Sequence, residues 1–221
     1  MNATAMDLLI WARGTGFSLA LAIALFGLTL RVFEILSLGR KHDFAPARED
    51  SPGSGLRTVF SRSLPLPGMA QKSPITYFGG YDFHVGLLLV IVFFVPHIEA
   101  IRAVIGLSWP GLPTAVIDMV SVATLLALVA VLFDRRRNKV KRMLSGFGDY
   151  FAWGITFLPM VTGYLAFHHL VLDYTLMLAI HILSVELLLI ALPFTKLTHV
   201  VTLFLARWYN GDWFGRRGIA S

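Results

Sequence analysis

The chain has 221 residues, of which 56% are hydrophobic and 14% charged, with a mean hydropathy of +0.70. A water-soluble domain carries about 25% charged residues, so this composition, gathered in long apolar blocks, points to an all-α integral membrane protein. The formal net charge of +6 then reads as topological information and not as a nucleic-acid footprint. The absence of cysteine excludes disulfides, cysteine nucleophiles and cysteine-ligated iron–sulfur clusters within the chain.

Five membrane spans are expected, in a single membrane domain over residues 1–221. The first runs from about Gly16 to Leu38. The stretch before it, Met1 to Trp11, lacks a basic n-region, so no cleavable signal peptide is predicted. A long loop over residues 39–80 follows. Its SPGSG and LPLPG segments predict irregular structure, either a linker or a docking surface for a partner. The second span runs from about Tyr81 to Ile105, the third from about Leu112 to Phe133, and the fourth from about Tyr150 to Leu170. Each is near the roughly 20 residues a crossing needs. The fifth, Tyr174 to Trp208, is longer, which predicts tilt or projection beyond the bilayer, with a kink at Pro193.

Basic residues alternate in position with these spans. Arg40, Lys41, Arg48, Arg57, Arg62 and Lys72 lie between spans one and two. Arg135, Arg136, Arg137, Lys139, Lys141 and Arg142 lie between three and four, and Arg207, Arg216 and Arg217 close the chain. With five spans all these segments fall on one side. The positive-inside rule makes that side cytoplasmic, with the N-terminus outside and the C-terminus inside.

Histidine is costly inside a membrane and marks a candidate site. His84 and His97 lie on span two, His181 and His199 on span five. His181 and His199 are 18 residues apart. On one continuous helix that is five turns, so both imidazoles would leave one face roughly 27 Å apart along the axis. The two spans run in opposite directions, so depth alone pairs His84 with His199 and His97 with His181. Two imidazoles at each of two levels suit bis-histidine haem b. Zinc would need three or four clustered ligands. His84 and His97, 13 residues apart, would point about 140° apart on an ideal helix. A proline kink at Pro96 or a local π-bulge would rotate His97; otherwise His168 or His169 at the end of span four would face His181 or His97. Gly86, one turn from the face of His84, would let a flat macrocycle approach the backbone, or is one more glycine of a transmembrane helix.

His168 and His169 are also expected near the outer surface, with Asp118, Glu99 and Arg102 at similar depth. Histidine titrates near neutrality, so Arg102, Asp118, His168 and His169 are candidates for a site where quinol releases protons. His42, in the long loop, is assigned no role.

The five-span plan, FHVG opening span two, and HILSVELLLIALPFTKLTHVV in span five resemble the gamma (cytochrome b) subunit family of respiratory nitrate reductase. That family includes membrane subunits of heterodisulfide-reductase-like and sulfite-reductase-associated complexes. The likeness covers about Tyr81 to Arg207. It implies two b haems bridging spans two and five, a quinol site beside the outer haem, and electron delivery from the inner haem to a cytoplasmic iron–sulfur subunit. His84, His181 and His199 match the family ligands. In the nitrate reductase branch the second ligand of span two comes about a turn earlier, where this sequence has Phe94.

The expected protein is therefore a multi-pass inner-membrane cytochrome b subunit of a quinol-dependent oxidoreductase complex. It would hold haem iron at His84, His97, His181 and His199: two haems, or one if His97 is not a ligand. Its partners would be membrane quinone, the lipid bilayer and an iron–sulfur subunit, with no nucleic acid. The rival expectation is a haem-free subunit in which histidines and carboxylates relay protons or serve transport.

Overall fold

Where water is absent, a backbone must satisfy its own hydrogen bonds, so long apolar segments fold as helices. The computed structural model describes residues 3–39, 44, 47–48, 52–64 and 68–219. Arg40, Lys41, His42, Ser51 of SPGSG and residues 65–67 of LPLPG lie outside the described residues. The described residues contain helices and no strand. Five helices are long and apolar enough to cross a membrane: Thr4–Ser37, Pro74–Phe93, Thr114–Arg137, Phe147–Phe167 and Tyr174–Phe194.

The first of these begins well before the expected Gly16. Helix α1 (Ala3–Trp11) continues through a π-turn (Ala12–Gly16) into α2 (Phe17–Ser37). The ARGTG stretch widens one turn without ending the helix. The chain then divides into two compact units, residues 1–16 with 68–185 and residues 17–67 with 186–221.

The first unit is built on α5 (Pro74–Phe93), α7 (Thr114–Arg137) and α9 (Phe147–Phe167), with the first part of α10 (Tyr174–Ala191). Lipid tails are as apolar as leucine, so close backbone approach does the work that hydrophobicity does in water. Gly79 and Gly86 sit two turns apart on α5. A Cβ at Gly79 would meet Val131 at 2.9 Å, and one at Gly86 would overlap Thr124, which is fully buried. The space at Gly86 is thus filled by α7, which corrects the expectation that a macrocycle approaches there. Val90, Ile117, Leu128 and Met160 form the core, with Phe83, Phe94, Trp153 and Phe157 packed around it. The indole N–H of Trp153 donates to the Leu128 carbonyl at 3.0 Å.

The basic turn between spans three and four is also built. It contains α8 (Lys139–Met143), capped by the Asn138 side chain, which accepts from the Val140 and Lys141 amides. Lys141 donates to Ser73 at 2.8 Å and Thr76 at 2.6 Å and pairs with Asp134. Arg135 donates to Ser145 at 2.9 Å and lies 3.5 Å from Asp149.

Span two is broken. Phe94 takes an extended conformation (φ −79°, ψ 123°), and α6 (Val95–Ile105) starts afresh with Pro96 in its first turn. A break frees carbonyls that must find donors. The following WPGLP return supplies them: Trp109 donates to Val92 O at 2.7 Å and the Leu112 amide to Phe93 O at 3.0 Å. Gly111 permits the approach, since a Cβ there would lie 2.6 Å from Val95 and 3.1 Å from Phe93 O.

The second unit contains α2, the last part of α10, and α11 (His199–Arg216). In span five a kink was expected at Pro193, and there the helix breaks fully. It ends in 3₁₀ turns at Leu192–Phe194 and Lys196–Thr198 around an extended Thr195 (φ −123°, ψ −176°). Pro193 lacks an N–H, and Thr198 Oγ1 donates to Thr195 O at 2.6 Å. The five-turn argument linking His181 to His199 does not hold across this break. On α2, Ala20, Ala24 and Gly27 are buried, and a Cβ at Gly27 would lie 2.6 Å from Pro193.

The long loop is partly helical. It contains α3 (Ser54–Ser61) and α4 (Met69–Lys72), and α5 begins at Pro74. Gly55 of α3 lies against Trp208 and Thr58 against Gly211, so α3 is packed on α11. Arg207 adds a bond to Ser63 at 2.7 Å.

Candidate functional site

A paired-histidine site lies in the first unit, between α6 and α10. The His97 and His181 rings have centres 6.2 Å apart and planes 24° apart. The break at Phe94 sets His97 there. Val90 O, near the end of α5, accepts both the Phe94 amide at 3.2 Å and His97 Nδ1 at 2.9 Å. A carbonyl only accepts, so His97 Nδ1 carries the proton and Nε2 of the neutral ring holds the lone pair.

His181 is placed by α9. A Cβ at Gly163 would lie 2.9 Å from His181 Cε1, so this glycine makes the room. Thr162 Oγ1 lies 2.7 Å from Leu158 O, to which it donates, and 3.3 Å from His181 Nδ1. With its own proton on Leu158, Thr162 accepts from Nδ1–H, again leaving the lone pair on Nε2. Ser184 donates to His181 O at 2.6 Å and lies 3.0 Å from Thr162.

His84 and His199 show the same pattern in their separate units. His84 Nδ1 donates to Gly80 O at 2.6 Å, and His199 Nδ1 to Lys196 O at 2.8 Å. Each of the four candidate histidines thus spends Nδ1 on an oxygen acceptor from its surroundings. Among the described residues no three His, Asp or Glu side chains gather as a self-contained metal cage would require.

A second cluster adjoins the pair. His168, the C-cap of α9, places Nε2 3.2 Å from Asp118 Oδ1. A row of ring contacts links it to His97. Phe94 stands edge-on to His97 at 5.2 Å and to Phe167 at 5.1 Å, and Phe167 stands edge-on to His168 at 5.2 Å. The two other sequence candidates point elsewhere. Arg102 lies 3.5 Å from Glu99 on exposed α6, and His169 stacks on Tyr174 at 4.6 Å. Among the described residues no hydrogen bond or ion pair joins either to Asp118 or His168.

Sequence reasoning missed Thr162, Gly163, Ser184 and the WPGLP return. The available signal was a pair of small residues, Thr-Gly, within a transmembrane helix, where such residues mark close packing.

No family model matches the chain, and no solved structure matches it. Among known proteins it is similar to one from Nitratidesulfovibrio vulgaris (strain Hildenborough), named simply "Protein". The two are 38% identical over 152 residues, 68% of this chain and 67% of the relative.

Proposed function

We propose that this chain, which belongs to the same family as the Nitratidesulfovibrio vulgaris protein, is a b-type cytochrome subunit carrying electrons between membrane quinol and a cytoplasmic iron–sulfur partner. The observation that carries the reading is the His97–His181 pair. Two imidazoles that each faced one metal, with a nitrogen about 2.0 Å from it and about 1.1 Å from the ring centre, would put those centres about 6.2 Å apart. A direct N–H···N bond of about 2.9 Å, end to end, would draw them to about 5.1 Å. The observed separation of 6.2 Å, with the ring planes near parallel, is wide enough for the former and too wide for the latter, and the donor chemistry supports the reading, with both Nδ1 atoms occupied and both Nε2 lone pairs available in the neutral rings.

When bound, haem supplies one-electron exchange without an open coordination position. His97 and His181 would hold one haem, and His84 with His199 a second, as the likeness to the nitrate reductase gamma family suggests. Val90 O and Thr162 fix the tautomer and orientation of the first pair. The Asp118–His168 pair, reached from His97 through Phe94 and Phe167, is suited to receive a proton from quinol. An imidazole beside a carboxylate can accept a proton and pass it on. The charge pattern supports an inner-membrane location with the C-terminus inside. Of the basic segments there, the turn over residues 135–142 and the tail would face the partner.

One observation favours the haem-free proton relay instead. Glu186 is buried, and its Oε1 has no hydrogen-bond partner among the described residues; an intramembrane carboxyl of this kind is suited to proton exchange.

The deciding experiment is a dithionite-reduced minus oxidised spectrum of the purified full chain, with haem-to-protein stoichiometry. Wild type should show a b-type α-band and two haems per chain, falling to one in His97→Ala and in His181→Ala. A properly assembled wild type without the band sinks the cytochrome reading and favours the relay. One haem in both wild type and His97→Ala removes His97 as a ligand.

A further inference from the structure

The second unit carries a surface that the electron-transfer reading does not use. Helix α3 is amphipathic in two directions. Gly55 and Thr58 are buried against α11. On the helical wheel Leu56 and Phe60 lie about 40° apart, on an arc turned away from that contact. They are 60% and 71% exposed, and Leu64 just beyond the helix is 67% exposed. Arg57 flanks this arc, on its far side from α11. Arg57 and Arg62 have no acidic partner among the described residues. The described acids of this unit are engaged or buried elsewhere: Glu34 with Arg31, Asp212 with Arg216, and Glu186 in the interior.

The element that holds α3 identifies its level. Gly55 rests on Trp208, and α11 also carries Tyr209 and Trp213. Tryptophan and tyrosine concentrate where a membrane meets water. A short helix pinned at that level, with an apolar arc bordered by arginine, has the make-up of an in-plane interfacial helix. We propose that α3 is a membrane-surface anchor, its Leu56–Phe60 arc sunk among acyl chains and Arg57 held on anionic phospholipid headgroups. An arginine near an anionic surface adds attraction that falls off within a Debye length. The inference rests on membrane insertion alone and is independent of haem content.

The absence of cysteine makes the test direct. Single-cysteine variants Leu56→Cys, Phe60→Cys and Ser61→Cys of the full chain are spin-labelled in nanodiscs of phosphatidylcholine, with and without phosphatidylglycerol. Collision with oxygen reports lipid, and collision with a water-soluble nickel chelate reports solvent. The expected result is an oxygen-to-nickel ratio several-fold higher at positions 56 and 60 than at 61. Anionic lipid should raise that ratio, and Arg57→Gln should abolish the rise. Labels at 56 and 60 reached by both reagents would place the arc in water. Labels reached by neither would place it under protein, a second copy or a redox partner. Either outcome overturns the anchor, as would a ratio indifferent to phosphatidylglycerol.

Discussion

At the scale of single residues, the candidate site depends on small groups next to the histidines as much as on the histidines. Thr162 orients His181 through Nδ1, and a partner of that kind is worth about 10- to 100-fold in metal affinity. Thr162→Val keeps the shape and removes the acceptor. On the proposed reading it should loosen the haem held by His97 and His181 by that factor, read as haem lost on dilution in detergent. A different residue stores strain. Val171 is β-branched, exposed and at φ 73°, in a tight turn where the Leu172 amide bonds Leu170 O at 2.9 Å. Left-handed backbone costs such a residue about 1–2 kcal/mol, which glycine escapes at some cost in chain entropy. Val171→Gly should therefore stabilise the protein by about 1 kcal/mol or less, measured as a raised thermal midpoint in detergent. A lowered midpoint would show that the turn is not strained.

At the scale of elements, breaks do what a regular helix could not. The 13-residue spacing of His84 and His97 puts them on different faces of an ideal helix. The interruption at Phe94 re-aims His97 to within ring contact of His181. Pro96 predicted a disturbance, but the return that caps it, Trp109 to Pro113, lies 13 to 17 residues further along the chain, and no local pattern announces such a cap. Trp109 is its strongest side-chain contribution. Trp109→Phe leaves Val92 O without that donor in an apolar setting, which should cost about 1–3 kcal/mol. The measurement is again thermal stability, accompanied by weakened haem binding if the break moves. The packing of α5 on α7 makes a second demand. Gly86→Ala would force a Cβ into Thr124, and overpacking of this kind costs about 1–3 kcal/mol. A variant as stable as wild type would mean the two helices separate easily.

At the scale of the whole molecule, charge placement carries the topology. The proposed arrangement puts the α6–α7 return outside and the α7–α9 turn inside. In cells, Ser108→Cys should react with an impermeant maleimide before permeabilisation and Lys139→Cys only after it. The reverse pattern would invert the proposed orientation and, with it, the side on which Asp118 and His168 release protons. Lys139 is a suitable reporter because its neighbours Arg135 and Lys141, and not Lys139, make the bonds that close that turn.

Length and apolar content by themselves determined that the chain forms helices long enough to cross a membrane. Local composition sufficed because each such helix satisfies its own backbone. Histidine spacing singled out His84, His97, His181 and His199, since imidazoles stand out in apolar sequence. Tertiary structure alone decided which of them meet. The breaks at Phe94 and Thr195 cancel any argument from continuous pitch, and the orientation of His97 and His181 depends on Val90 O, Thr162 and Gly163. Likewise α3 looked irregular from its glycines and prolines, until packing on Trp208 and Gly211 made a helix of it. Helix propensity acts through neighbours along the chain, whereas these placements depend on contacts between distant segments, and those exist only once the chain has folded.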